Sequence, residues 1–397
     1  MRRHGLLDAF PAGSAPAVAA TVCGIHTQVG SAAALSLARR VRGADAGLLP
    51  HALWRERSLV KTYGPRGTVH VFPAEELSLW TAATGAMPAK GSRPADPASE
   101  LPRLTEEQAE QLRRAVLSAA SGTSLTRVEL GAVITAECGP WAEQTAMSAF
   151  NTDWPHWRVA VDDAVSEGVL CFGPPQGNRV TFVRADEWLG DIVQQTWTAD
   201  NEDALGAVPA VLVEVARRYL AGYGPATHQE FAQWLNLPAG LAKRVYTALR
   251  EDLVPVDVEG YRSWALQEQD PESWEAVGDC VRLLGYFDVF AVGSHPRDEL
   301  VPPESAQRAV SHGRSFVKGG GRRFLCGPLP VLLVDGLVRG VWTYRTQQRA
   351  EQVRVEVFGP VSAALRRLLD AEVNRLATLL GRDLTLSIGP ADIAAHL

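Results

Sequence analysis

His26 and Gln28 stand two residues apart, just ahead of an alanine-rich helical stretch. In extended or turn backbone, residues i and i+2 point to the same side, so these two side chains can share one centre while Thr27 points away. A neutral imidazole that titrates near neutrality suits general-base work, and an amide carbonyl can orient a water. A His-x-Gln tripeptide taken alone is also what a helix cap or a surface turn requires. Asp288 lies in the apolar run GYFDVF, which reads as a strand. There it either serves the chemistry or holds the fold as a buried, hydrogen-bonded carboxylate. Asp162-Asp163 sits in an amphipathic helical stretch and reads as a solvated pair. The clearest basic segment runs from His312 to Arg323, with Arg314, Lys318, Arg322 and Arg323 around three glycines. It reads as a flexible hairpin that lies against phosphates or in a groove, with a plain solvated loop as the alternative.

Other chemistry is excluded by what the sequence lacks. There is no phosphate-cradling P-loop, no dinucleotide G-x-G-x-x-G after a strand, no H-E-x-x-H and no G-x-S-x-G. Five cysteines (Cys23, Cys138, Cys171, Cys280, Cys326) are scattered singly. An odd count without a C-x-x-C pair argues against a disulfide framework and a zinc site, so they read as small core residues. No cofactor and no metal are expected. The formal net charge of −6 excludes a protein that coats nucleic acid over its whole surface, so any DNA contact must rest on local positive charge. No apolar run is long enough for a membrane helix. Asp8, Pro11 and Gly13 interrupt the N-terminal alanine-rich stretch, so it does not read as a signal peptide, and a cytoplasmic protein is expected.

The 397 residues suffice for two to four domains. One local order recurs along them. Thr126-x-x-Glu129 is a capping box that opens a helix; a helix with Trp157, Val161 and Val165 follows, then a hairpin around Gly173–Asn178. Residues 209–266 repeat the plan, with a break at Tyr223-Gly224-Pro225, a capping box at Thr227-x-x-Glu230 and a hairpin around Glu259-Gly260. Helix, helix, helix, two-stranded wing is the winged-helix order. The N-terminal segment fits it more loosely: SAAALSLARRV and HALWRERSLVKTYG read as helices, GTVHVF as a strand, and FPAEELSLW as a helix with Pro73 in its first turn. Residues 88–103 read as a linker. Beyond about residue 275, strand-like runs joined at Asp335-Gly336 predict a small barrel or half-barrel, followed by an amphipathic helix carrying Leu365, Leu369, Val373, Leu376 and Leu380.

Over nearly its whole length the chain resembles the AlkZ/YcaQ-like winged-helix DNA glycosylases. The stretches that carry the resemblance are GIHTQVGSAAALSLARRV, SLVKTYGPRGTVHVFPAEEL, YGPATHQEFAQWL, GYFDVFAVGSHPR and GPLPVLLVDGLVRGVW. The resemblance implies an α+β fold of three tandem winged-helix domains and a C-terminal β-barrel-like domain, arranged as a C-shaped channel for duplex DNA. The expected boundaries are 1–110, 111–198, 199–272 and 273–397. The family carries Gln-x-Gln or Gln-x-Asp where this chain has His26-Thr27-Gln28. Gln28 matches the second position, and His26 departs at the first in the manner of a subgroup linked to antibiotic self-resistance.

The activity implied is monofunctional hydrolysis of the N-glycosidic bond of bulky N7-alkylated guanines, leaving an abasic site. His26, Gln28 and Asp288 are the expected catalytic residues. No lysine lies in the motif, so no Schiff-base intermediate and no lyase step are expected. Arg66 and Thr68 are expected to line the channel or to shape a hairpin. Arg39, Arg40 and Arg42 follow the motif by one helix and are expected at backbone phosphates, with the 312–323 segment as a further contact. The expected partner is double-stranded DNA bearing an alkylated purine, met by a monomer. A bulky adduct favours reaching C1′ from the groove over flipping the base into a tight pocket. A non-enzymatic tandem winged-helix regulator, or a protein that sequesters lesions without excising them, is the alternative that the His26/Gln28 pair distinguishes.

Overall fold

The computed structural model describes residues 1–87, 104–149, 152–192, 197–198, 208–270, 274, 276, 278–308, 310–312, 315–317, 321–347 and 350–393. The 88–103 linker lies outside the described residues. The chain forms two compact units, one of Met1–Ala52 with Glu214–Leu397 and one of Leu53–Val213. The fold is mixed α and β, as expected.

In the Leu53–Val213 unit, strands Leu59–Tyr63 and Val69–Pro73 form an antiparallel hairpin. This corrects the sequence reading of HALWRERSLVKTYG as one helix. The helix ends at Trp54, Arg57 takes a left-handed φ of 57°, and the β-branched run that follows is a strand. Helices Glu106–Ala120, Arg127–Cys138 and His156–Ser166 come next, then strands Leu170–Gln176 and Arg179–Arg184. The hairpin Thr145–Ala149/Thr152–Pro155 is inserted between the second and third of these helices. Capping boxes open the first two helices, at Thr105/Gln108 and at the predicted Thr126/Glu129. Their apolar stripes, with Leu112, Val116, Leu130, Ile134 and Val161, close over Phe172 and Phe182 of the hairpin. Asp162 is not a solvated carboxylate: it is largely buried and accepts from the Tyr63 hydroxyl and Arg127, both at 2.9 Å.

In the other unit, helices His228–Leu235 and Ala239–Ala248 lead into the hairpin Leu253–Val258/Tyr261–Leu266. Its two-residue turn has both residues at positive φ, Glu259 at 49° and Gly260 at 92°, the backbone that matches a twisted hairpin. A five-stranded sheet follows in the order Val281–Leu284, Val331–Val334, Leu337–Gln347, Ala350–Val357, Leu384–Ile388. Its last pair is parallel and the others are antiparallel.

Successive residues of these strands are apolar on both faces, so the sheet is covered on both sides. Leu283, Leu332, Trp342, Val353 and Val355 pack with Leu369, Val373 and Leu376 of the Ala363–Leu380 helix, and with Leu35 and Ala38 of the Gly30–Ala38 helix. Leu284, Val331, Leu333 and Val341 face a second cluster that includes Leu6 and Leu300. The Gly30–Ala38 helix is thereby embedded, with every residue from Ala32 to Ala38 buried. All five cysteines are buried thiols. Among the described residues no helix is long and apolar enough to cross a membrane.

Candidate active site

The chain reaches His26 through a sharp bend. After the Ala15–Thr21 helix, Cys23 and Gly24 take φ of 55° and 92°, and Ile25–His26 run extended. The Gly30–Ala38 helix then begins with Val29 at its N-cap and no side-chain cap. Gln28 therefore does not serve as a helix cap; its side chain is exposed. His26 is buried, with 5% of its surface exposed. The Gln28 backbone N–H approaches His26 Nδ1 at 3.5 Å, the outer limit of a hydrogen bond. Thr27 is also buried, and its Oγ1 has no hydrogen-bond partner among the described residues.

The face of the His26 ring is covered by Phe287, with ring centroids 4.8 Å apart and planes 22° apart. Phe287 has a φ of 54°, left-handed for a bulky residue, and its N–H donates to the Gly327 carbonyl at 2.7 Å. The residue after it is Asp288, 2% exposed. Asp288 is not in a strand. The strand stops at Leu284, and Asp288 is the N-cap of the short Val289–Gly293 helix.

Asp288 binds Arg40 through both oxygens. Arg40 Nη2 donates to Oδ1 at 2.7 Å and Nη1 to Oδ2 at 2.9 Å. The Phe290 N–H donates to Oδ1 at 3.0 Å and Ser36 Oγ to Oδ2 at 2.8 Å. A carboxylate has about four acceptor positions, and all are filled here. The expectation that Asp288 orients the reacting water is therefore corrected: the group anchors the loop that carries Phe287. Burial pushes its carboxyl up, but the Arg40 charge, the Arg40 hydrogen bonds, the Phe290 amide and the Ser36 hydroxyl outweigh that and hold it below the ordinary carboxylate range.

The expectation for Arg40 is corrected as well. Arg40 is fully buried on Asp288, and Arg39, 6% exposed, pairs with the buried Glu372. Arg40 is not placed to meet a DNA phosphate, because its side chain is fully buried on the Asp288 carboxylate. Arg66 sits half-buried in the turn of the 59–73 hairpin at φ 61°, and Thr68 Oγ1 donates to the Pro65 carbonyl at 3.0 Å, which braces that turn. A short hairpin pairs Val310–His312 with Ser315–Val317, ahead of the three glycines around which the sequence reading placed one. Arg314 and Lys318 lie outside the described residues. Arg322 pairs with Asp298 at 2.9 Å, and Arg323 belongs to the Gly321–Leu325 helix.

Sequence reasoning missed Phe287, Ser36 and Tyr223. The Tyr223 hydroxyl lies 3.0 Å from the Val22 carbonyl and 3.3 Å from that of Val289, so it ties the approach to His26 to the helix that Asp288 caps. Ser36 and Arg40 are spaced i, i+4, which signals one helix face, but nothing local names their partner.

The comparisons with known proteins agree with one another. The chain is 28% identical over 355 residues to an interstrand DNA cross-link repair glycosylase of Streptomyces sahachiroi, covering 84% of this chain and 83% of that protein. Its structure is similar to that of the Streptomyces sahachiroi DNA glycosylase AlkZ, with a TM-score of 0.73 and 26% identity, over 98% of this chain and 97% of the other. A family model described as AlkZ-like DNA glycosylase matches residues 19–379, and with most of its length so matched the chain belongs to the AlkZ-like family of DNA glycosylases.

Proposed function

We propose that this enzyme is a monofunctional glycosylase for bulky N7-alkylated guanines in duplex DNA, including adducts that link the two strands. The family membership supports the glycosylase chemistry, and the name of the Streptomyces sahachiroi relative suggests the cross-link class. The observation that carries the reading is that His26, buried, and Gln28, exposed, adjoin at the head of the Gly30–Ala38 helix, with His26 Nδ1 3.5 Å from the Gln28 backbone N–H.

An N7-alkylated guanine is already cationic, so it departs without being protonated. As the C1′–N9 bond breaks, its electron pair goes to N9 and neutralises the purine. The sugar becomes oxocarbenium-like and needs a water rather than a strong acid. The Gln28 carbonyl holds that water, whose oxygen bonds to C1′, and His26 takes its proton and later releases it to solvent. The products are a neutral alkylguanine and an abasic site. Phe287 and the Asp288–Arg40 pair position the imidazole without touching the reacting atoms. The helix–helix–helix–hairpin stretches are read as winged-helix modules: two in full at 106–184 and 210–266, and a third, looser one at the N-terminus.

A duplex with a single N7-alkylguanine, incubated with the protein and then treated with alkali, tests this. Strand cleavage at the lesion is expected, and its loss in His26→Ala and Gln28→Ala while duplex binding persists. Binding without release from any adduct, simple or bulky, would instead favour lesion sequestration.

A further inference from the structure

We infer that the protein has a second polar site, a pocket for a phosphate group, built from the end of the Gly30–Ala38 helix, the N-terminal segment and the Ala363–Leu380 helix. A cavity of about 480 Å³ opens there, lined by Arg39, Arg42, Asp45, Arg282, Arg375 and Thr378 among others. That volume is within the roughly 300–1,000 Å³ of small-molecule sites. It stands apart from the mechanism proposed for His26, and it would survive the failure of that mechanism.

Charge is the first argument. Glu372, 1% exposed, anchors three of the four guanidinium groups: Arg39, Arg375 at 2.7 Å and Arg282 at 3.9 Å. It also accepts the Leu283 N–H at 3.0 Å. Glu372 itself lies behind the cavity wall; the carboxylate on the wall is Asp45, whose Oδ1 accepts the Gly47 N–H at 2.7 Å. Four cations on the wall, set against Glu372 behind it and Asp45 upon it, leave two positive charges uncompensated, which matches a phosphomonoester dianion. Burial is the main cause that lowers the Arg282 guanidinium; Glu372 and Cys280 raise it, and the nearby Arg375 and Arg39 lower it further.

The second argument is an unmet hydrogen bond. Arg39 is more than nine-tenths buried, and its Nη2 has no hydrogen-bond partner among the described residues. A buried guanidinium N–H left unpaired is unfavourable, and a phosphate oxygen is the acceptor that guanidinium geometry suits best. The pocket wall contributes no buried carboxylate to take that role.

The phosphate can come from a free ligand or from a DNA strand. Calorimetry on the full chain at fixed ionic strength, with inorganic phosphate, a deoxynucleoside 5′-monophosphate, the matching nucleoside and a short duplex, separates these sources. Arg42→Gln and Arg375→Gln change exposed side chains, and Thr378→Glu places a carboxylate at the lip; thermal melts check that all three fold. Binding of phosphate and monophosphate but not nucleoside, weakened about tenfold or more in each variant, is the result expected of a free-ligand site. Weakening of duplex binding alone assigns the group to the DNA backbone. Phosphate ligands that give no heat at about 10 mM, together with duplex binding unchanged in all three variants, would overturn the inference.

Discussion

Phe287 lies flat against His26, 4.8 Å between ring centroids, on a backbone held at a left-handed φ of 54°. A stacked aromatic pair contributes about 0.5–1.5 kcal/mol beyond burial. Here that contribution fixes the plane of the imidazole. Phe287→Ala is expected to lower the single-turnover excision rate by up to about tenfold, with duplex affinity unchanged. Phe287→Tyr keeps the stack and should restore most of the rate. Equal rates in Ala and Tyr variants would show that the ring only fills space.

Asp288→Asn distinguishes an anchor from a catalyst. The exchange leaves Arg40, fully buried, without its counter-charge. Breaking a buried pair by removing one partner costs about 3–5 kcal/mol. Urea unfolding should show a loss of that order, with Ser36→Ala costing about 1 kcal/mol because it removes one hydrogen bond to the same carboxylate. Unchanged stability combined with lost excision would return Asp288 to the reacting water.

The same carboxylate predicts a pH dependence. Its pKa is lowered in the folded state, because Arg40, Phe290 N–H and Ser36 outweigh the opposing effect of burial. A lowered carboxyl contributes stability that is complete above its unfolded pKa, about 4, and is lost as pH falls through the lower folded value. The Tm gap between wild type and Asp288→Asn should therefore be widest above about pH 4 and narrow below it. A gap of constant size down to strongly acid pH would contradict this origin.

The sequence made some of this legible and hid the rest. Both predicted capping boxes form, and the Glu259-Gly260 and Asp335-Gly336 turns have the paired positive φ that their residue types imply, because these features are decided within four residues. The candidate site depends on pairs far apart in the chain. Arg40 and Asp288 are 248 residues apart, and nothing near either one names the other. Asp288 was misread because GYFDVF is apolar throughout, so periodicity cannot show a turn at Phe287. Its role as the N-cap of a short helix was the available local signal. Arg40 was assigned to phosphate on charge alone. The missing clue was GSAAALSLA, a helix with no polar face, whose end must also be buried.

Tyr223 offers a further test, because the fold supplies its own control. Its hydroxyl is shared between the Val22 and Val289 carbonyls, one leading into His26 and one following Asp288. Tyr223→Phe should cost about 1 kcal/mol in urea unfolding, the net value of such a bond. Because both tethered segments carry the site, the excision rate should fall with it. Tyr246 is also buried, but its hydroxyl has no hydrogen-bond partner among the described residues. Removing that hydroxyl releases an unpaired polar group, so Tyr246→Phe should be neutral or stabilising and leave the rate unchanged. If the two variants behave alike, the Tyr223 hydroxyl does not hold the site together. If only Tyr223→Phe slows excision, the imidazole is positioned from two directions: by Phe287 across its face, and by a tyrosine that links the chain segments on either side.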